Sequence, residues 1–84
     1  MQFSLILSAR VTEQLNSLPL KTRDRYCKAF YLITSLGPEY RSLRTHRYHE
    51  RGGKLWGSSA SMSLRFYWYF QEKKTIVVVR LDSH

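Results

Sequence analysis

Apolar residues change their spacing twice along this chain, and the changes divide it into a strand, two helices and a second group of strands. In "QFSLIL" the positions Phe3, Leu5 and Leu7 alternate, with Ile6 added, which suits a short strand with one face buried. Ser8 then stands where a helix N-cap is needed. Over "SARVTEQLNSL" Val11, Leu15 and Leu18 keep helical spacing, and Pro19 ends that helix or opens the next. "LKTRDRYCKAFYLITSLGP" carries the strongest helical stripe, formed by Tyr26, Ala29, Phe30, Ile33 and Leu36, with Arg23, Arg25 and Lys28 largely off it. Gly37 and Pro38 stop this helix. The short Pro-containing turn between the two makes them an antiparallel hairpin.

Past Gly52-Gly53 the period shortens to that of strands. "KLWGSSA" reads as a strand weakened by Gly57. In "SMSLRFYWYF" Met62, Leu64, Phe66, Trp68 and Phe70 fall on one face, and Ser61, Ser63, Arg65, Tyr67 and Tyr69 on the other. "QEKK" reads as a hairpin turn. "TIVVVRL" is β-branched and apolar on both faces, so it belongs inside a sheet rather than at its edge. The segment Arg41–Lys54, "RSLRTHRYHERGGK", reads as a connection. The order β-α-α-β-β-β predicts an α+β fold, with the helical hairpin packed on one face of a small, mostly antiparallel sheet. The 84 residues are expected to form a single domain, 1–84. A domain of that size buries roughly 60–65% of the surface its unfolded chain exposes. Its core is therefore modest, and a partner would add to its stability.

Charge changes the picture more than composition does. Fourteen Lys and Arg against six Asp and Glu leave a formal charge of +8. Self-repulsion makes such a surplus costly, which points to an anionic partner: nucleic acid, a membrane surface or an acidic protein. The hydrophobic fraction of 43% excludes a disordered chain. Cys27 is the one cysteine, so neither an internal disulfide nor a cysteine-based metal site is available, and a reducing cytoplasm fits. "MQFSLILSAR" lacks a basic start, and its apolar run is too short for a secretory segment or a membrane span.

Three constellations could carry chemistry. On the polar face of "SMSLRFYWYF", Arg65 is flanked by tyrosines and serines. A guanidinium in mid-strand matches a phosphate with a planar set of donors, and Tyr67 and Tyr69 can stack on bases. A solvated face with tyrosines as cross-strand packing is the equal alternative. The connection supplies Arg41, Arg44, Arg47, Arg51 and Lys54, with His46 and His49 and Tyr48 among them, a mixture that suits single-stranded RNA. A solvated basic loop is the alternative, and the overall charge favours nucleic acid. At the chain end, Arg80, Asp82 and His84 would share one strand face. A histidine beside a carboxylate can act as general acid or base, against the ordinary alternative of a frayed terminus. The spacing of His46, His49 and His84 is a weak match to a metal site, and Gly52-Gly53 matches no phosphate-binding loop.

Taken together, the strand–helix–helix opening, "RSLRTHRYHERGGKLW" leading into "SLRFYWYF", and the closing "TIVVVRLDSH" resemble the RelE/ParE superfamily of toxins from bacterial type II toxin–antitoxin systems. The resemblance covers nearly the whole chain through loose motifs. It implies a ribosome-dependent, metal-independent mRNA endoribonuclease that aligns a nucleotide's 2′-OH for attack on its own 3′ phosphate, with no organic cofactor. In that frame Arg65 matches the family's third-strand arginine and would hold phosphate charge. His84 matches the position past the last strand where some members carry a histidine. Lys54 lies near the second-strand lysines of RelE but out of register with them. Trp56 and Ser58 stand in those places, leaving His46 and His49 as candidate bases. Arg41, Arg44, Arg47, Arg51, Tyr67, Tyr69 and Arg80 would contact RNA. The implied partners are a small acidic antitoxin, the ribosome and mRNA, with a cytoplasmic location and no membrane. Many members continue past the last strand with a short tail, whereas this sequence stops at His84. Two alternatives follow from the same resemblance: a ParE-like inhibitor of DNA gyrase that cuts no RNA, and an inactive relative that survives as a binding module.

Overall fold

A computed structural model of the protein describes residues 2–48 and 54–83. The chain runs β1 (Ser4–Leu7), α1 (Ala9–Asn16), α2 (Leu20–Leu36), one 3-10 turn (Arg41–Leu43), β2 (His46–Tyr48), β3 (Leu55–Ser61), β4 (Leu64–Glu72) and β5 (Thr75–Ser83). Ser8 caps α1 as its position predicts, its hydroxyl accepting from the Val11 N–H at 3.2 Å. Pro19 occupies the N-cap of α2, so it opens the second helix. At the other end of α2, Gly37 has φ +92°, which a side chain rarely tolerates, and a Cβ there would come within 3.2 Å of the Phe3 ring. The glycine therefore both stops the helix and makes room for Phe3.

The sheet order is β1-β5-β4-β3-β2. β1 pairs parallel with β5, and the other three pairs are antiparallel. β5 is internal, as its β-branched run predicts. β2 is a correction to the expected connection: His46, Arg47 and Tyr48 pair with Gly57, Trp56 and Leu55. Three residues are too few for a readable period, but they satisfy the open edge of β3. The turn in "QEKK" narrows to Lys73-Lys74, because β4 continues to Glu72. Beyond the end of β1, the side-chain amide of Gln14 takes a strand's place against β5. It donates to the Leu81 carbonyl at 3.2 Å and accepts the Leu81 N–H at 3.0 Å.

The helices cover one face of the sheet. Val11, Tyr26, Ile33, Phe66, Ile76 and Val78 form the fully buried centre, and Phe30 meets Phe66 edge-on at 5.1 Å. Two register shifts decide which side chains reach the open face. Tyr67 pairs with Arg80 but Trp68 pairs with Val78, so Val79 is an extra residue in β5. The bulge lets Val78 and Leu81 both join the core while Arg80 and Asp82 turn outward. In β3, Ser59 pairs with Arg65 and Ser61 with Leu64, so Ala60 is extra. Ser61 therefore ends β3. Met62, expected on the core face, lies in the turn and is 92% exposed. Alternation carries no information about where a strand yields to a turn.

Candidate functional site

Two rows of side chains cross the open face. One is Ser59, Arg65 and Asp82; the next is His46, Gly57, Tyr67 and Arg80. In the second row Gly57 does not simply weaken β3. A Cβ there would lie 3.2 Å from Tyr67 Cε1 and 3.6 Å from His46 Cε1, so the missing side chain lets the Tyr67 ring lie over the strand. The Arg80 guanidinium sits 4.6 Å from the centre of that ring and 5.8 Å from that of Tyr48. The two tyrosine rings are 4.6 Å apart. Tyr67 is consequently buried and holds Arg80, rather than offering an open platform for a base.

Beside this cluster is a cleft of about 530 Å³ lined by Arg44, His46, Ser59, Ser61 and Arg65. Arg65 Nε and Ser61 Oγ are shielded from solvent and have no hydrogen-bond partner among the described residues. Arg65 as a whole is nevertheless part-exposed and lines the cleft, and a guanidinium is the group there that matches a phosphate. Arg44 enters the cleft from a left-handed backbone, φ +47° and ψ +45°, which ends the 3-10 turn and redirects the chain into β2. Leu43, 1% exposed, anchors that turn in the core. His46 Nδ1 lies 3.2 Å from the Arg44 carbonyl.

The floor is fixed from below. The Tyr26 hydroxyl, rising from α2, donates toward the carbonyls of Arg65 at 3.1 Å and Asp82 at 3.2 Å. Burial, with the Asp82 carboxylate adding to it, pushes Tyr26 up to about 12. Burial and Asp82 also raise Tyr67 above the usual phenol range.

Arg65, Arg44, His46 and Arg80 are thus brought to one face, and Tyr48 supports them. Lys54 is exposed before β3, roughly 16 Å of strand from Ser59 and hence from Arg65. Tyr69 lies two positions beyond Tyr67, paired with Val77 and away from the cleft. Arg41 is exposed on the 3-10 turn, and Arg47 faces the helix side, 4.9 Å over the Trp56 ring. His49, Arg51 and His84 lie outside the described residues. Asp82 as the strand partner of Arg65, and Ser59 as a lining residue, escape the sequence reading, whereas Ser61 lies beside Arg65 as the alternation predicts. The register of Asp82 and Ser59 depends on the bulges at Val79 and Ala60, which no local signal announces. Among the described residues no group of three or more His, Cys, Asp or Glu could hold a metal ion. Among those residues, too, no helix is long and apolar enough to cross a membrane.

A second cleft, of about 520 Å³, opens on the helix side past the end of α2. Trp56, Trp68 and Phe70 line it from the sheet, and Tyr40, Arg41 and Arg44 from the connection. Trp56 stacks on Trp68 at 6.0 Å and 18°. Trp68 is pinned by donating its indole N–H to Ser58 Oγ at 2.9 Å, and Ser58 in turn bonds the Thr45 hydroxyl at 2.7 Å.

A helical hairpin on one face of an open five-stranded sheet, with β1 parallel to β5, is a fold that the chain shares with solved toxin structures. Among solved structures, the chain is similar to the archaeal RelE–RelB complex from Pyrococcus horikoshii OT3, with a TM-score of 0.77, 15% identity, and coverage of 99% of this chain and 96% of that one. It is similar to the YoeB dimer from Staphylococcus aureus, with a TM-score of 0.77, 9% identity, and coverage of 100% and 99%. The E. coli toxin RelE, solved as a mutant in the free state, matches with a TM-score of 0.70, 15% identity, and coverage of 99% and 84%. No family model matches the chain, and no curated protein matches it by sequence.

Proposed function

We propose that this protein is the toxin of a type II toxin–antitoxin system and cuts mRNA on the ribosome. The observation that carries the reading is that Arg65 lines one cleft with Arg44 and His46, on a chain of net charge +8. In the reaction, the 2′ oxygen of a nucleotide attacks the adjacent 3′ phosphorus and the bond to the 5′ oxygen of the next nucleotide breaks. The 2′ proton leaves to a base, and the departing 5′ oxygen gains a proton. Arg65 supplies donors to the extra negative charge of the five-coordinate phosphorus, with Arg44 beside it. His46 is the described residue in the cleft whose ring can pass a proton, and His49 and His84 remain candidates for the other transfer. Arg80, Arg51 and Arg41 contribute to holding RNA, and neither a metal nor an organic cofactor takes part.

The partner we propose is an acidic antitoxin that neutralises the basic face. Support comes from the fold shared with a RelE solved with RelB and a YoeB solved with YefM.

The test is translation-coupled cleavage of a reporter message in extracts supplemented with the protein. Cleavage by the wild type that Arg65→Ala reduces at least about a hundredfold, with ribosome binding retained, is the expected result. Intact messages together with gyrase-dependent DNA breaks would replace this reading with that of a gyrase inhibitor.

A further inference from the structure

The helix-side cleft lies apart from Arg65 and His46, and Tyr40, Trp56, Trp68 and Phe70 line it. Trp56 is half-buried, and Phe70 and Tyr40 keep 40% and 41% of their surface exposed, unlike core rings. The Trp68–Ser58–Thr45 hydrogen bonds hold the sheet-side wall rigid. Arg41 and Arg44 line the cleft against a single carboxylate, Glu39. Ring surfaces flanked by guanidinium groups are what a single nucleic-acid strand uses: bases stack on the rings and phosphates meet the arginines.

One residue joins this cleft to the catalytic candidate. Arg44 lines both, at the sheet edge formed by β2, and its left-handed backbone puts it at the corner between the two faces. A strand of RNA whose phosphate sits on Arg65 could pass Arg44 and turn over this edge. That continuity, with the positive lining, favours RNA over an apolar peptide segment as the occupant.

We infer that the helix-side cleft is a second nucleotide subsite, which stacks a base of single-stranded RNA between Tyr40 and Phe70, beside the stacked Trp56–Trp68 pair, while Arg44 holds a phosphate on the way to Arg65. The inference rests on the reading of the chain as an RNA-cutting toxin, and it names how the substrate is held away from the bond that is cut.

Both tryptophans of the chain, Trp56 and Trp68, line this one cleft, so intrinsic tryptophan fluorescence reports on it alone. The experiment titrates the full chain with a short single-stranded oligoribonucleotide at low salt, following fluorescence and, with a labelled oligonucleotide, anisotropy. Saturable quenching is expected, with the affinity lowered about tenfold in Tyr40→Ala, a surface change. Arg65→Ala should weaken the affinity through its lost phosphate contact, yet still show the quenching at saturation. RNA that binds by anisotropy without changing the fluorescence, or a Tyr40→Ala variant that binds as wild type, would overturn the subsite. So would quenching by a polyglutamate peptide bearing an aromatic residue but not by RNA, which would make the cleft a protein-docking site. Message cleavage without quenching removes the subsite and spares the function. Quenching with the Tyr40 effect, but no message cleavage, does the reverse.

Discussion

The hydroxyl of Tyr26 reaches through the core to the backbone carbonyl of Arg65, 3.1 Å away, and shares its proton with the carbonyl of Asp82. A helix residue thereby clamps the two strands at the row that holds the candidate phosphate-binding guanidinium. Tyr26→Phe should keep the packing, since the ring stays against Phe30 at 6.2 Å, but leave both carbonyls without this donor. A loss of about 1–3 kcal/mol is expected in urea unfolding. If the clamp also orients Arg65, the turnover of the message should fall while ribosome affinity stays, a split that simple destabilisation would not produce.

The same hydroxyl predicts an alkaline limit. Burial raises its pKa to about 12, above the unfolded phenol near 10, because the charged form is penalised in the fold. The neutral form therefore stabilises the native state fully below pH ~10, and that contribution fades as pH rises through about 12. Tyr67 is raised for the same first cause and acts in the same direction. Absorbance titration near 295 nm should show two tyrosines ionising late, together with a drop in unfolding free energy across that range. Tyr26→Phe should flatten most of the drop; an unchanged profile would assign the alkaline transition elsewhere.

Gly57 should resist substitution despite its place in a strand. The Cβ of Gly57→Ala would press on Tyr67 at 3.2 Å, and Tyr67 is backed by Tyr48 and Arg80. We expect a destabilisation of about 1 kcal/mol or more, with the Tyr67 and Tyr48 ring resonances shifted in NMR spectra. A neutral or stabilising alanine would mean that the ring moves freely.

Arg44 separates backbone from charge. Its φ of +47° is strained for a side-chain-bearing residue, so Arg44→Gly should change stability by less than about 1 kcal/mol in either direction. RNA affinity should nevertheless fall, and the slope of log affinity against log salt should flatten by about one phosphate contact. Arg44→Lys, which keeps charge but not the fork, should restore the slope and only part of the affinity.

Much of this protein is written locally. The Ser8 cap, the Pro19 start, the Gly37 stop and the buried stripe from Tyr26 to Ile33 follow from residue type and helical period. The alternation of Leu64, Phe66 and Trp68 against Arg65 and Tyr67 follows from the strand period, because each depends on neighbours a few positions away. Those patterns determine an α+β chain with a basic polar strand face, and they single out Arg65. What tertiary structure decided is which distant residues share that face. The bulge at Val79 shifts parity so that Arg80 and Asp82 stand outward beside Tyr67 and Arg65. The bulge at Ala60 brings Ser59 to the cleft and leaves Met62 in the turn. The edge strand His46–Tyr48 exists because β3 offers it unpaired backbone, and with it come His46 and the Arg44 corner. A one-residue change in register exchanges the two faces of a strand, and register is set by pairing between segments far apart in the chain.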